Sequence, residues 1–290
     1  MSARTDAGAA FRCEQARPAG SGMATVETTL AGVPAILRVP VRVTQPPILL
    51  WHGFGPPASE RALMEALPLD EVPAVKVYLG LPLFGTRAPA GGTEELVRRQ
   101  TQDVALLVFK PAVAGAADEL PAVVDALAAR GCVRPGDKID LFGFSAGGAA
   151  ALLALAEHKV EVASAVVLNT SIGLTDSVHA WERAMKRSYA WTPEARALAA
   201  RADALHRAAD IARGDPPPAL LIVQGGGDAV LGTQSSTALR DALTPYYRRE
   251  RSEDRLRLID VAGMTHDWTG DARAVAELRQ TIAAWYRRYR

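Results

Sequence analysis

The sequence predicts an α/β fold, a mostly parallel, doubly wound sheet with helices on both faces, and three observations carry that prediction. From Ile48 onward, short apolar runs alternate with longer stretches of helical periodicity. Uniformly apolar strands belong to a sheet covered on both sides, and their alternation with helices calls for right-handed crossovers. Ahead of them, residues 25–40 alternate in polarity on either side of Ala31-Gly32, the signature of an antiparallel hairpin. Finally, the residues suited to chemistry fall just after predicted strands, at the carboxyl edge where such sheets hold their ligands.

Taken in order, the strands of the main sheet are expected at residues 48–51, 74–79, 138–142, 165–168, 219–223 and 256–261. Helices are expected at residues 59–66, 94–109, 116–129, 146–156, 233–243 and 271–289. In the third of these, Leu120, Val123, Val124 and Leu127 form an apolar stripe that Gly131 ends. Residues 173–214 break the alternation. They carry no strand signal, place Val178, Trp181 and Met185 on one helical face, and precede Pro216-Pro217-Pro218. This interval reads as a small, cap-like helical insertion above the sheet. The expected organisation is a flexible tail over residues 1–22, rich in Gly, Pro and Ala near its end, and one domain over 23–290.

A length of 290 residues with 49% hydrophobic side chains is enough for one large core. The formal net charge of +1 gives no electrostatic reason to expect nucleic acid or an anionic membrane surface as partner. A small-molecule substrate is the expected partner, and the sequence does not set an oligomeric state. Residues 1–23 lack the apolar core of a secretory signal, and no stretch approaches the ~20 apolar residues that cross a bilayer. The two cysteines, Cys13 and Cys132, have no zinc-ligand spacing and do not make a disulfide framework, although a single bridge between them stays open. The expectation is a soluble, cytoplasmic protein with no metal and no cofactor.

The strongest local signal is Gly143-Phe144-Ser145-Ala146-Gly147, entered from an apolar strand and followed at once by a small-residue helix. A nucleophile elbow of the form G-x-S-x-G requires that context, because the serine must project from a sharp strand-to-helix turn. Close approach of neighbouring chain to such a turn calls for glycine on both sides. The competing reading is an ordinary serine in a glycine-rich turn.

Acyl transfer also needs two amide donors for a developing oxyanion, one of them from an earlier loop. The strand ending in His52-Gly53-Phe54-Gly55 supplies that loop, and the donors are assigned to the backbone of Phe54 and Ala146. His52, beside the turn, suits a structural hydrogen bond better than a role as base. Asp228 follows the strand at 219–223, and His266 follows the last strand. The order Ser145, Asp228, His266 makes His266 the base and Asp228 the group that fixes its tautomer. Asp176 is the second choice of acid, and Asp267 adjoins His266 too closely in sequence to orient its ring.

On these residues, together with Asp228-Ala229-Val230 and His266-Asp267-Trp268, the chain resembles the α/β-hydrolase superfamily over roughly residues 46–290. Gly147-Gly148 and the short insertion make it similar to the dienelactone-hydrolase and prolyl-oligopeptidase-like branch. The resemblance implies an α/β-hydrolase fold and a serine hydrolase. The chain departs from that branch in three places. It has Ser145 where dienelactone hydrolases use cysteine, leaves no span for the propeller of prolyl oligopeptidases, and has Gln224-Gly225 where His-Gly commonly precedes the acid.

The expected activity is cleavage of carboxylic esters of small or medium substrates through an acyl-enzyme on Ser145. The alternatives are a small peptidase or amidase, a thioesterase, or a non-catalytic binding module on the same scaffold. Phe144, Trp181 and Met185 are the expected substrate contacts, with Phe54, Phe84, Tyr189 and Trp191 as further apolar candidates. Arg87, after an early strand, is a candidate for a substrate carboxylate.

Overall fold

The computed structural model describes residues 11–16, 18, 22–134 and 136–289. Strands β1 (Met23–Leu30) and β2 (Val33–Pro40) form the hairpin. β3 (Ile48–Trp51), β4 (Lys76–Leu79), β5 (Ile139–Phe144), β6 (Val162–Leu168), β7 (Ala219–Gly225) and β8 (Leu256–Val261) complete an eight-stranded sheet of order β1-β2-β4-β3-β5-β6-β7-β8. β1 with β2 and β2 with β4 are antiparallel, and every later pairing is parallel. Side chains alternate across this sheet as the strand period demands. Leu49, Trp51 and Leu141 enter one core, whereas Ile48, Leu50 and Phe142 enter the other.

Helices α1 (Glu60–Ala66) and α9 (Ala272–Arg288) cover the second of these cores through Leu63, Leu278 and Ile282. The first is covered by α3 (Gly115–Ala129), α4 (Ala146–Glu157) and α8 (Gln234–Arg249). α5 (Leu174–Met185), α6 (Pro193–Ala202) and the single turn α7 (Ala208–Ile211) fill the interval expected to be helical insertion.

The stretch expected as one helix over 94–109 is divided. α2 spans Gly92–Val104, and a wide-turn helical segment follows over Ala105–Ala114, in which Gly115 N–H reaches the carbonyl of Lys110. Asp103 causes the division: it leaves helical geometry (φ −164°, ψ 96°) and its carboxylate caps Leu106 N–H at 2.9 Å. A short polar side chain that satisfies a local amide competes in this way with the continuing helix. Pro111, which has no N–H to give, sits in the widened segment.

The segment expected as a flexible tail over residues 1–22 is fastened to the domain at Cys13. Cys13 is buried and joined to Cys132 by a disulfide, and the Arg130 guanidinium lies 5.8 Å from the Phe11 ring centroid. Residues 1–10, 17 and 19–21 lie outside the described residues. The two cysteines, placed in a reducing compartment by the sequence reading, are therefore paired.

Two ionisable side chains are buried at the amino-terminal edge of the sheet. Burial pushes the Asp140 carboxyl up to about 7, against the hydrogen bond that Ser164 Oγ donates to it at 2.7 Å. Burial likewise lowers the Lys76 ammonium to about 8, and it donates to the carbonyl of Val72 at 3.1 Å. An acid whose folded pKa is raised binds its proton more tightly when folded, so its stabilising contribution falls as pH rises from about 4 to about 7. Asp140→Asn should therefore be more stable than the wild type at pH 8 by roughly 2 to 4 kcal/mol, and close to it at pH 4. Denaturant melts at the two pH values measure this; parallel stability curves for the two proteins would contradict it.

Candidate active site

Ser145 occupies the turn between β5 and α4 with φ 54° and ψ −117°, outside the regions open to most residues. Its neighbours explain how the turn closes. A Cβ at Gly147 would lie 2.5 Å from the His52 carbonyl oxygen and 2.6 Å from that of Trp51. α4 thus begins directly against the end of β3. A Cβ at Gly53 would lie 2.7 Å from the Phe144 ring and 2.9 Å from Ser145 Cβ, so the His52-Gly53 turn touches the serine itself. A Cβ at Gly55, in the same loop, would meet nothing within 4 Å, so glycine is not needed there for space.

Both ring nitrogens of the fully buried His52 are engaged. Nδ1 lies 2.7 Å from the Gly53 carbonyl, and Nε2 accepts from Leu81 N–H at 3.2 Å. One donor and one acceptor define the neutral Nδ1–H tautomer. Burial lowers the pKa of the ring despite the Gly53 bond. His52 is thereby a fastener between the β3 and β4 loops, as the sequence reading preferred. Phe54 follows it and stacks on Phe84 with centroids 4.3 Å apart. Ala146 opens α4, and first-turn amides of a helix have no intrahelical acceptor.

Ser145, Asp228 and His266 come together from three loops. His266 Nε2 lies 3.1 Å from Ser145 Oγ, and His266 Nδ1 lies 2.9 Å from Asp228 Oδ2. The other carboxylate oxygen, Oδ1, accepts from Val230 N–H at 2.8 Å and Leu231 N–H at 3.1 Å. Burial raises the Asp228 pKa, but the His266 contact and these two amides outweigh it, and the net shift is downward. The carboxylate is ionised, Nδ1 carries its proton toward it, and Nε2 is left facing the hydroxyl.

The rival acids have other partners. Asp176 accepts from Ile172 N–H at 3.2 Å and Ser235 Oγ at 2.8 Å, so it ties α5 to α8. Asp267 caps its own turn, accepting from Thr269 N–H at 3.2 Å.

Of the expected substrate contacts, Phe144 is corrected. It is fully buried, tilted against the His266 ring at 5.2 Å and edge-on to Trp268 at 6.1 Å, so it backs the histidine rather than facing a substrate. Trp181 is half-buried and packs edge-on to Tyr189, whose hydroxyl donates to Asp103 at 2.7 Å. Met185 is exposed at the end of α5. Arg87 holds Glu119 through two hydrogen bonds of 2.7 and 2.8 Å and is not free for a carboxylate.

Asn169 belongs to no motif in the sequence. It is fully buried just past β6; its side-chain oxygen accepts from Gly225 N–H at 2.7 Å and its amide donates to the Thr265 carbonyl at 3.0 Å. It therefore clamps the loop that holds His266 against the end of β7. The available signal was its position, a polar residue directly after an apolar strand at the ligand edge.

Among the described residues, no helix is long and apolar enough to cross a membrane. No curated protein matches the chain. Among solved structures, it is similar to TT1662 from Thermus thermophilus, with 22% identity and a TM-score of 0.63 over 91% of this chain and 98% of that one. A puromycin-hydrolyzing peptidase from Mycobacterium tuberculosis aligns with 16% identity and a TM-score of 0.65, over 92% of this chain and 39% of that one. S-formylglutathione hydrolase (FrmB) from Staphylococcus aureus aligns with 16% identity and a TM-score of 0.58, over 92% of this chain and 98% of that one. At these identities the likeness establishes the fold, whose strand order and elbow are those of the α/β-hydrolases. The prolyl oligopeptidase family model matches residues 114–290, which carry the elbow, the acid and the histidine. A match over more than half of its length places the chain in the prolyl oligopeptidase family, within the α/β-hydrolase superfamily of serine hydrolases.

Proposed function

We propose that the protein cleaves carboxylic esters of small or medium size through an acyl-enzyme on Ser145. The observation that carries this reading is the continuous hydrogen-bonded line from Asp228 through His266 to Ser145 Oγ, 2.9 and 3.1 Å long. His266 Nε2 takes the hydroxyl proton as Oγ attacks the acyl carbon, and Asp228 stabilises the imidazolium so formed. The oxyanion is received by the amides of Phe54 and Ala146. Its collapse expels the alcohol, which leaves with the proton from His266. Water, deprotonated by the same ring, then attacks the acyl group and returns Ser145 to its free state.

The stacked Phe54–Phe84 pair, next to the donor amide, favours an uncharged acyl group; Trp181 and Met185 are proposed as outer contacts. A peptidase or amidase is the second reading, favoured by membership of the prolyl oligopeptidase family and by the mycobacterial peptidase of the same fold. Rates on aryl esters, thioesters and aminoacyl amides, alongside fluorophosphonate labelling, separate the readings. Ester turnover well above amide turnover is expected. Amide turnover in excess would favour the peptidase, and an unlabelled Ser145 would favour a binding module.

For location, the Cys13–Cys132 bridge supports an oxidising compartment over the cytoplasm expected from sequence, since disulfides persist where thiols are not kept reduced. Thiol titration of protein taken from its native host distinguishes the two.

A further inference from the structure

Gln224, which stands where His-Gly commonly precedes the acid, has three partners. Its Oε1 accepts from Ser236 Oγ at 2.6 Å, and its Nε2 lies 3.1 Å from the Gly225 carbonyl and 3.3 Å from Asp228 Oδ2. The orientation of the amide is fixed by chemistry, because a flip would set its oxygen against a carbonyl and a carboxylate, neither of which can donate. Gln224 and Ser236 are both 1% exposed, so bulk solvent does not reach either contact. Asp228 Oδ2 therefore receives two donors, Gln224 and His266, and they compete for the same charge.

We propose that Gln224 is a positioning residue that holds Asp228 through a buried Ser236–Gln224 tether and moderates the basicity of His266. The proposal rests on the reading of Ser145, Asp228 and His266 as a working triad. A neutral amide on Oδ2 spreads the carboxylate charge before the imidazolium forms, so the ring gains less from its partner than it would beside an otherwise bare oxygen. The other charged or titratable groups on the surrounding elements are engaged elsewhere or face solvent. Asp176 is held by Ser235 and Ile172, Arg183 donates to the Val230 carbonyl, and Asp267 caps Thr269. Asp260, paired in register with Gln224, and His179 on α5 are exposed.

The test is the rate of Ser145 labelling by a fluorophosphonate as a function of pH, which needs no knowledge of the substrate. The acid limb of that profile reports the base of the free enzyme. Gln224→Met keeps the length of the side chain and removes its donor. It should move the limb upward by about 0.5 to 1 pH unit, so that labelling below the midpoint is slower than wild type by roughly 3- to 10-fold at equal pH. Ser236→Ala, which leaves the amide without its tether, should give a smaller shift in the same direction, and it serves if Gln224→Met does not fold. The double variant should match Gln224→Met alone, because the two residues act in one line. A purely packing role would lower the plateau and leave the midpoint where it was. An unmoved limb with Ser145 still labelled overturns this proposal while leaving the triad standing. Wild-type protein that is not labelled at any pH overturns both.

Discussion

Ser145→Ala should lower the hydrolysis of short acyl esters by about 10^4-fold or more and abolish fluorophosphonate labelling. The size of the effect follows from what remains. Without Oγ there is no acyl-enzyme, and the proposed donor amides of Phe54 and Ala146 could only polarise an ester for slow attack by water. The fold should be unaffected, because Ser145 Oγ has one side-chain partner, His266. The turn itself is held by backbone: Ser145 N–H donates to the Leu168 carbonyl at 3.0 Å, and its own carbonyl accepts from Gly148 N–H at 3.0 Å. Thermal melts of the variant should overlay the wild type. A pure sample of the variant turning over esters at the wild-type rate would refute the acyl-enzyme.

Asp228→Asn should cost nearly as much, about 10^4-fold in turnover, although the side chain is isosteric. Oδ1 of Asp228 accepts two backbone amides, from Val230 and Leu231, so the oxygen of an asparagine must take that place. Its NH2 group then faces His266 Nδ1 and Gln224 Nε2, where an acceptor stood. The ring must present Nδ1 as an acceptor, its proton moves to Nε2, and the nitrogen facing Ser145 can no longer take a proton. Asp176→Asn is the control. Its carboxylate serves Ile172 and Ser235, so its turnover should stay within about tenfold of wild type. Equal losses in the two variants would reopen the choice of acid.

The parts of this architecture that depend on period were legible in the sequence. Runs such as Leu220-Leu221-Ile222-Val223 admit no surface-exposed strand, and the core they enter is sealed on both faces. The elbow, too, was legible, because strand, glycine, serine and small-residue helix must be contiguous. What needed coordinates was pairing between distant positions. Cys13 and Cys132 are 119 residues apart, and no local pattern connects them. Phe144 looked like a substrate contact because it adjoins Ser145, but the alternation along β5 turns it into the core beneath His266. Asp103 broke a helix whose apolar spacing continued past it, since one capping hydrogen bond is invisible to periodicity. Gln224 was visible only as a departure, and its geometry supplies the reason for it.

The neutrality of His52 has an effect on any titration of this enzyme. Protonating its Nε2 would cost the bond from Leu81 N–H and place a charge in a site closed to solvent. In the proposed mechanism His52 is therefore a spectator while His266 gains and loses a proton. The rate profile of the proposed reaction should then bend as a one-proton curve.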